Sequence, residues 1–184
     1  MKSFLELAQE RQSDRAFIPG KRIEREVLER IIEAARLAPS ACNGQPWHFT
    51  VITDEALLPE VGRATSSLGM NRFVKDASAL VLITHEGTNL TSKLGSGIKD
   101  KDFPIMDIGI ASAYLTLAAE DEGVGSCILG WFDEPKVKEL AGIPQKKRLM
   151  LIVALGYAAK PKRKKVRKEW SKVVSFEYHY KFVS

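Results

Sequence analysis

Ala38-Pro39-Ser40-Ala41-Cys42-Asn43-Gly44-Gln45-Pro46-Trp47-His48-Phe49 separates two patterns of different period, and that change of period sets the fold class. Before it, Glu24 to Leu37 carries Val27, Leu28, Ile31, Ile32, Ala35 and Leu37 at helical spacing, and Pro39 stops the helix. After it, His48 to Thr53 is β-branched and aromatic, the composition of a strand. The stretch itself crowds prolines, small residues and carboxamides. A turn between helix and strand explains the prolines but not Asn43, Gln45 and Trp47 together. Trp47 reads as a core anchor and Cys42 as a small packing residue. The remaining polar groups have little to do for a core and suit a flat polar ligand.

Outward from this stretch the elements stay mixed. Phe4 to Arg11 reads as a short first helix, and Pro19-Gly20 breaks the chain afterward. Asp54 is expected to cap a weaker helix running to Leu68, with Pro59 disturbing its early turns. Ala79 to Thr84 is an unbroken apolar run, so a central buried strand is expected. From Glu86 to Asp102 the composition turns to Gly, Ser, Thr, Asn and Lys without periodicity, as in a long loop. Ile105 to Glu122 is the strongest helix and is apolar on too many sides for one exposed face. Val124 to Leu129 reads as a short strand, Asp133 and Pro135 open a helix ending near Ala141-Gly142, and Leu149 to Tyr157 is a second buried strand. Helices and strands without regular βαβ alternation predict an α+β fold. No glycine-rich dinucleotide fingerprint follows a strand and no Walker A sequence occurs. A nucleotide-type ligand must therefore be held by side chains and short loops.

With 184 residues and 45% hydrophobic content, one domain over residues 1–184 is expected, with a core that needs neither disulfide nor metal. No run approaches the roughly 20 apolar residues of a membrane span. The start of the chain lacks the apolar region of a signal peptide. Cys42 and Cys127 lie in unrelated motifs, and a reducing, cytoplasmic setting is expected. His48, His85 and His179 have no ligand spacing, so no metal site is expected. The net charge of +5 has a local origin. Seven of the 28 basic residues lie between Lys160 and Lys168, and without them the 23 acidic residues outnumber the rest. A nucleic-acid surface usually spreads its cations and interleaves aromatics, so nucleic acid is not the expected partner. After the basic tract, Trp170, Val173, Val174, Phe176, Tyr178 and Phe182 form a tail too apolar to leave in water.

The second informative stretch is Arg11-Gln12-Ser13-Asp14-Arg15. Two guanidiniums and a hydroxyl in one segment suit a phosphate, each charge-assisted bond contributing about 1.5–3 kcal/mol. Taken alone such a triplet is usually a solvated helix end. Together with the proline-serine loop, the small-residue helix, the Leu129-Gly130 turn and the basic C-terminal segment, in that order along nearly the whole chain, it resembles the nitroreductase family of FMN-dependent oxidoreductases in its short-chain form. The resemblance implies a nitroreductase-like sandwich, a mostly antiparallel sheet flanked by helices. It also implies an intertwined homodimer in which residues 160–184 wrap the partner subunit.

The resemblance further implies non-covalent FMN, with Arg11 and Ser13 on its phosphate and ribityl side and Arg15 at the N1–C2 carbonyl edge of the ring. Pro39, Ser40, Asn43 and Gln45 would be flavin contacts supplied across the dimer. Leu129 and Gly130 would offer backbone N–H groups to N5 and O4. Lys165 and Arg167 would close over the phosphate, with Lys162 and Arg163 as the alternative register, and Asn71 lies where relatives place a polar ring contact. The implied activity passes hydride from NADH or NADPH through flavin N5 to a nitroaromatic, quinone or related small-molecule acceptor by a ping-pong mechanism, with Arg15 and Gly130 supporting the flavin and no dedicated acid or base. Two other readings stay open. One is a flavin reductase or dehalogenase-like enzyme; the other is a flavin-binding or basic interaction module without turnover.

Overall fold

The computed structural model describes residues 2–66, 69–86 and 101–176. Among them lie the helices α1 (Phe4–Glu10), α2 (Arg25–Arg36), α3 (Leu57–Ala64), α4 (Phe103–Asp121) and α5 (Glu134–Leu140), and the strands β1 (Trp47–Ile52), β2 (Ala79–His85), β3 (Gly125–Leu129) and β4 (Arg148–Gly156). The strands form one sheet in the order β1-β2-β4-β3, with every neighbouring pair antiparallel. The α+β expectation therefore holds, and among the described strands the antiparallel pairing is complete.

The unbroken apolar run of β2 has its reason in the layering. Ala79, Val81 and Ile83 face a core shared with α2 and α4, through Leu28, Ile31, Ala35, Ile108, Ala111, Leu115 and Ala119. Leu80 and Leu82 face the opposite core, with Phe17, Leu58, Val61, Val74 and Val137 from α3, α5 and the connecting loops. A strand covered on both faces has no polar side to alternate with. Trp47 is buried in the first of these cores, as an anchor should be.

Helix ends depart from the sequence reading for local reasons. Asp54 does cap α3, its Oδ1 accepting from the backbone N–H groups of Ala56 at 3.0 Å and Leu57 at 2.8 Å. Helix α3 begins at Leu57, so Pro59 falls in its first turn, where a missing N–H costs nothing. It ends at Ala64 rather than Leu68, with the Thr65 hydroxyl turned back onto Gly62 O. Helix α4 begins two residues earlier than periodicity suggests, because Asp102 accepts from the N–H of Ile105 and Pro104 occupies the first turn. No helix among the described residues is long and apolar enough to cross a membrane. Most of the Glu86–Asp102 segment, and Tyr178 and Phe182 of the tail, lie outside the described residues.

Two apolar surfaces are left without cover among the described residues. Helix α4 is buried through Ile108, Ala111, Leu115 and Ala119 but exposes Ile105, Met106, Ile110 and Tyr114, each between 38% and 52% accessible. Trp170, Val173 and Phe176 are also exposed. The two-sided apolar character of α4 is thus real, and among the described residues only one side is packed.

Candidate functional site

The segment after α1 is drawn against the free edge of the sheet. Ser13 forms a parallel bridge with Ser126 of β3, and the Asp14 N–H donates to Ser126 O at 2.9 Å. This fixes Arg11, Ser13 and Arg15 beside β3. The basic tract crosses the same region. Lys162 reaches the buried Glu120 of α4. Lys165 donates at 2.6 Å to both Ala8 O and Arg11 O, carbonyls at the C-terminal end of α1. The Arg163 Nη2 donates to Ser13 O at 2.8 Å. The tract is a strap pinned to three elements.

Between strap and segment lies a cleft of about 290 Å³, lined by Arg11, Gln12, Ser13, Arg15, Arg163, Lys164, Lys165, Val166 and Arg167. Six of these residues are cations. Among the described residues no carboxylate forms an ion pair with any of the six. Crowding of like charge shows in Lys165. Burial, together with Arg167 and Arg11 beside it, holds its ammonium below the usual lysine range, Glu120 pulling the other way. An uncompensated cluster of this kind is a ready anion site.

The two registers proposed for the strap resolve differently. Lys162 is taken up by Glu120 and does not line the cleft, while Arg163 does. Lys165 and Arg167 both line it, but the Lys165 ammonium already serves α1. Among the described residues Arg167 bonds only to its neighbour Val166 O, which leaves most of its guanidinium for a ligand. Sequence reasoning passed over Gln12 and Lys164, which line the same cleft. A glutamine in an arginine-rich segment carries no signal until a partner across the fold is known.

Near this segment Cys127 of β3 is buried, as part of the second core. Burial pushes its thiol above the ordinary cysteine range and Asp14 adds to that, against the opposing influence of Arg15, Ser13 and Arg11. A protonated, enclosed thiol is unreactive. Cys42, by contrast, is exposed, so its reading as a packing residue is corrected: it sits at φ 51 on the outside of its loop. Iodoacetamide at neutral pH is therefore expected to label Cys42 and spare Cys127, as peptide mapping of the folded protein will show.

The 38–47 stretch is held open as a surface loop. Cys42, Asn43 and Gln45 all have positive φ, which non-glycine residues adopt at a cost of roughly 1–3 kcal/mol each. Two contacts hold it in that form. Asp107 of α4, itself buried, accepts from the N–H of Ala41 at 3.1 Å, and the Ser40 hydroxyl accepts from the N–H of Gln45 at 3.0 Å. Pro39, Asn43 and Gln45 are exposed and Ser40 half-buried. None of them lines the cationic cleft, so one chain does not bring the two motifs into a common pocket.

The turn after β3 is likewise clamped. Leu129 is buried and Gly130 exposed, so only the backbone here is available to a ligand. The Asn71 amide Nδ2 donates to Trp131 O at 3.0 Å and to Thr65 O at 3.1 Å, and the Asp133 N–H donates to Ala64 O at 3.0 Å. Both Asn71 donors are committed to backbone, so Asn71 supports the turn that carries Gly130.

The model of the nitroreductase family matches residues 8–68 and 60–157. The chain belongs to the nitroreductase family. Among relatives in this family, a protein of Archaeoglobus fulgidus named for NADH dehydrogenase/NAD(P)H nitroreductase activity is 32% identical over 161 residues, covering 85% of this chain and 86% of that one. The iodotyrosine deiodinase of Thermotoga neapolitana is 29% identical, over 92% of this chain and 96% of that protein. The solved FMN-dependent nitroreductase of Clostridium difficile superposes with a TM-score of 0.77 over 95% of this chain and 99% of its own, at 24% identity. That last likeness shows the nitroreductase fold. Family membership makes the chain an oxidoreductase of this family.

Proposed function

We propose that this chain is an FMN-dependent NAD(P)H oxidoreductase, one domain per chain, working as a homodimer on a small acceptor such as a nitroaromatic or quinone. The observation that carries the reading is the cleft of six cations without an ion pair among the described residues, built from the segment after α1, which lies within the family match, and from the basic strap. A flavin phosphate fits this donor set: Arg11, Arg163 and Arg167 supply guanidiniums, Lys164 an ammonium and Ser13 a hydroxyl. Bound FMN would supply the two-electron chemistry, taking hydride at N5 from NADH or NADPH and returning it to the acceptor.

The chain's own residues do the rest. Arg15, exposed and free of any ion pair among the described residues, would hold positive charge where negative charge develops at the N1–C2 edge. Gly130, at an exposed turn fixed by Asn71 and Asp133, would present backbone N–H without a side chain in the way. The exposed Pro39, Asn43 and Gln45, with Ser40, would complete the site from a second copy. The apolar face of α4 and the exposed Trp170, Val173 and Phe176 supply surface for that pairing. No side chain in this set is needed as a dedicated acid or base, since solvent can return protons. Two free cysteines suit the cytoplasm.

The test is direct. Purified protein titrated with FMN is expected to turn yellow at one flavin per chain and to bleach when mixed anaerobically with NADH or NADPH. A protein that stays colourless and shows anion binding only through residues 160–168, weakening steeply with salt, would establish the basic interaction module in its place.

A further inference from the structure

We propose that Asp14 is a positioning residue of the cationic cleft, acting through Gln12 on Arg163. The ligand in this statement rests on the FMN reading above; the geometry does not. Asp14 is 4% exposed, and its Oδ2 is buried without a hydrogen-bond partner among the described residues. A buried carboxylate with one oxygen unsatisfied is costly, and such a group calls for a reason.

The reason lies on its other oxygen. Oδ1 accepts from Gln12 Nε2 at 2.7 Å. A carboxylate only accepts, so it fixes which way the Gln12 amide points: nitrogen inward, oxygen outward. The outward Oε1 then accepts twice from Arg163, from its backbone N–H at 3.1 Å and from Nε at 3.3 Å. Arg163 completes the contact through Nη2 on Ser13 O. The negative charge of Asp14 thus sets the polarity of a relay running from the edge of the sheet to the strap. Were the amide reversed, two donors would face Arg163 and the strap would lose its hold at this point.

The fold makes room for this arrangement. Asp14 is tied to β3 by its N–H on Ser126 O, and the carboxyl lies against Gly125. A Cβ at position 125 would stand 2.9 Å from Asp14 Oδ2, closer than carbon and oxygen tolerate. Gln12, Ser13, Asp14, Arg15 and Arg163 also line, with Ala16, Lys160 and Pro161, a second cleft of about 280 Å³. The Gln12–Arg163 contact is therefore common to both clefts. It decides where the strap's guanidinium stands relative to a phosphate.

The variants Asp14→Asn and Gln12→Glu/Asp14→Asn test this with two readouts. The first is amide hydrogen exchange in ligand-free protein, because the Arg163 N–H is itself a bond of the relay. Asp14→Asn is expected to speed exchange at Arg163 about tenfold, the loss of one hydrogen bond. The double variant restores an acceptor at position 12, with the carboxamide introduced at position 14 donating to it, and is expected to return exchange to within roughly threefold of the parent. The second readout compares FMN with riboflavin, which lacks the phosphate. Asp14→Asn is expected to weaken FMN about tenfold and riboflavin less than about twofold. Unchanged exchange at Arg163, an equal loss for both flavins, or a double variant that restores neither readout would each overturn the proposal. A parent protein that binds no flavin would sink the cofactor reading alone, and the exchange measurement would still decide the role of Asp14.

Discussion

Arg15→Ala is expected to slow bleaching of bound FMN by NADH or NADPH about 100-fold while changing FMN retention by less than about threefold. The asymmetry follows from the proposed roles. Arg15 lines the same cleft as Arg11, Arg163 and Arg167, and like them has no ion pair among the described residues, but it is assigned to the N1–C2 edge of the ring and the other three to the phosphate. Removing one of several phosphate donors costs binding. Removing a charge that matters only as negative charge develops costs rate, because binding of the oxidised ring never drew on it. Arg11→Ala should show the opposite pattern, with FMN retention weakened about tenfold and bleaching of the flavin that remains bound near the parent rate. Stopped-flow absorbance at saturating FMN, beside equilibrium titration, separates the two. The reverse pattern would exchange the roles given to these arginines.

Much of this architecture was legible because its signals are local. Pro39, the apolar run at Ala79–Thr84 and the cap at Asp54 each act within a few residues, and strand and helix fall where they indicate. What stayed illegible depends on distant partners. Nothing near Lys162 in sequence reveals that Glu120 will claim it, so choosing between the strap registers required the fold. Nothing near Asn71 reveals Trp131 O, 60 residues away, as its acceptor. Gln12 looked inert for the same reason: its partners are Asp14 on one side and Arg163 on the other, and only their convergence gives it work. The residues of the 38–47 loop were visible as unusual, and the structure shows what the oddity is, three non-glycine residues at positive φ held by Asp107 and Ser40.

Ile110→Arg is expected to have the largest effect of all, turning the homodimer proposed above into a monomer at micromolar concentration and weakening FMN at least about 100-fold with it. Helix α4 buries Ile108, Ala111, Leu115 and Ala119 in its own chain, yet Ile105, Met106, Ile110 and Tyr114 form a second apolar face that nothing among the described residues covers. Such a face exposed in water is the mark of an interface. A guanidinium at its centre would be buried without a partner on pairing, but stays solvated in the monomer, so folding should survive and association should not. On the proposed reading FMN is lost with the dimer, because Pro39, Ser40, Asn43 and Gln45, which do not line the cationic cleft of their own chain, are assigned to the flavin of the second copy. Sedimentation velocity and flavin titration on the same preparation, with circular dichroism as the control for folding, give the result. A folded variant that remains dimeric would move the interface off α4. A folded monomer that still holds FMN at parent affinity would show that the 38–47 loop contributes nothing to the flavin site.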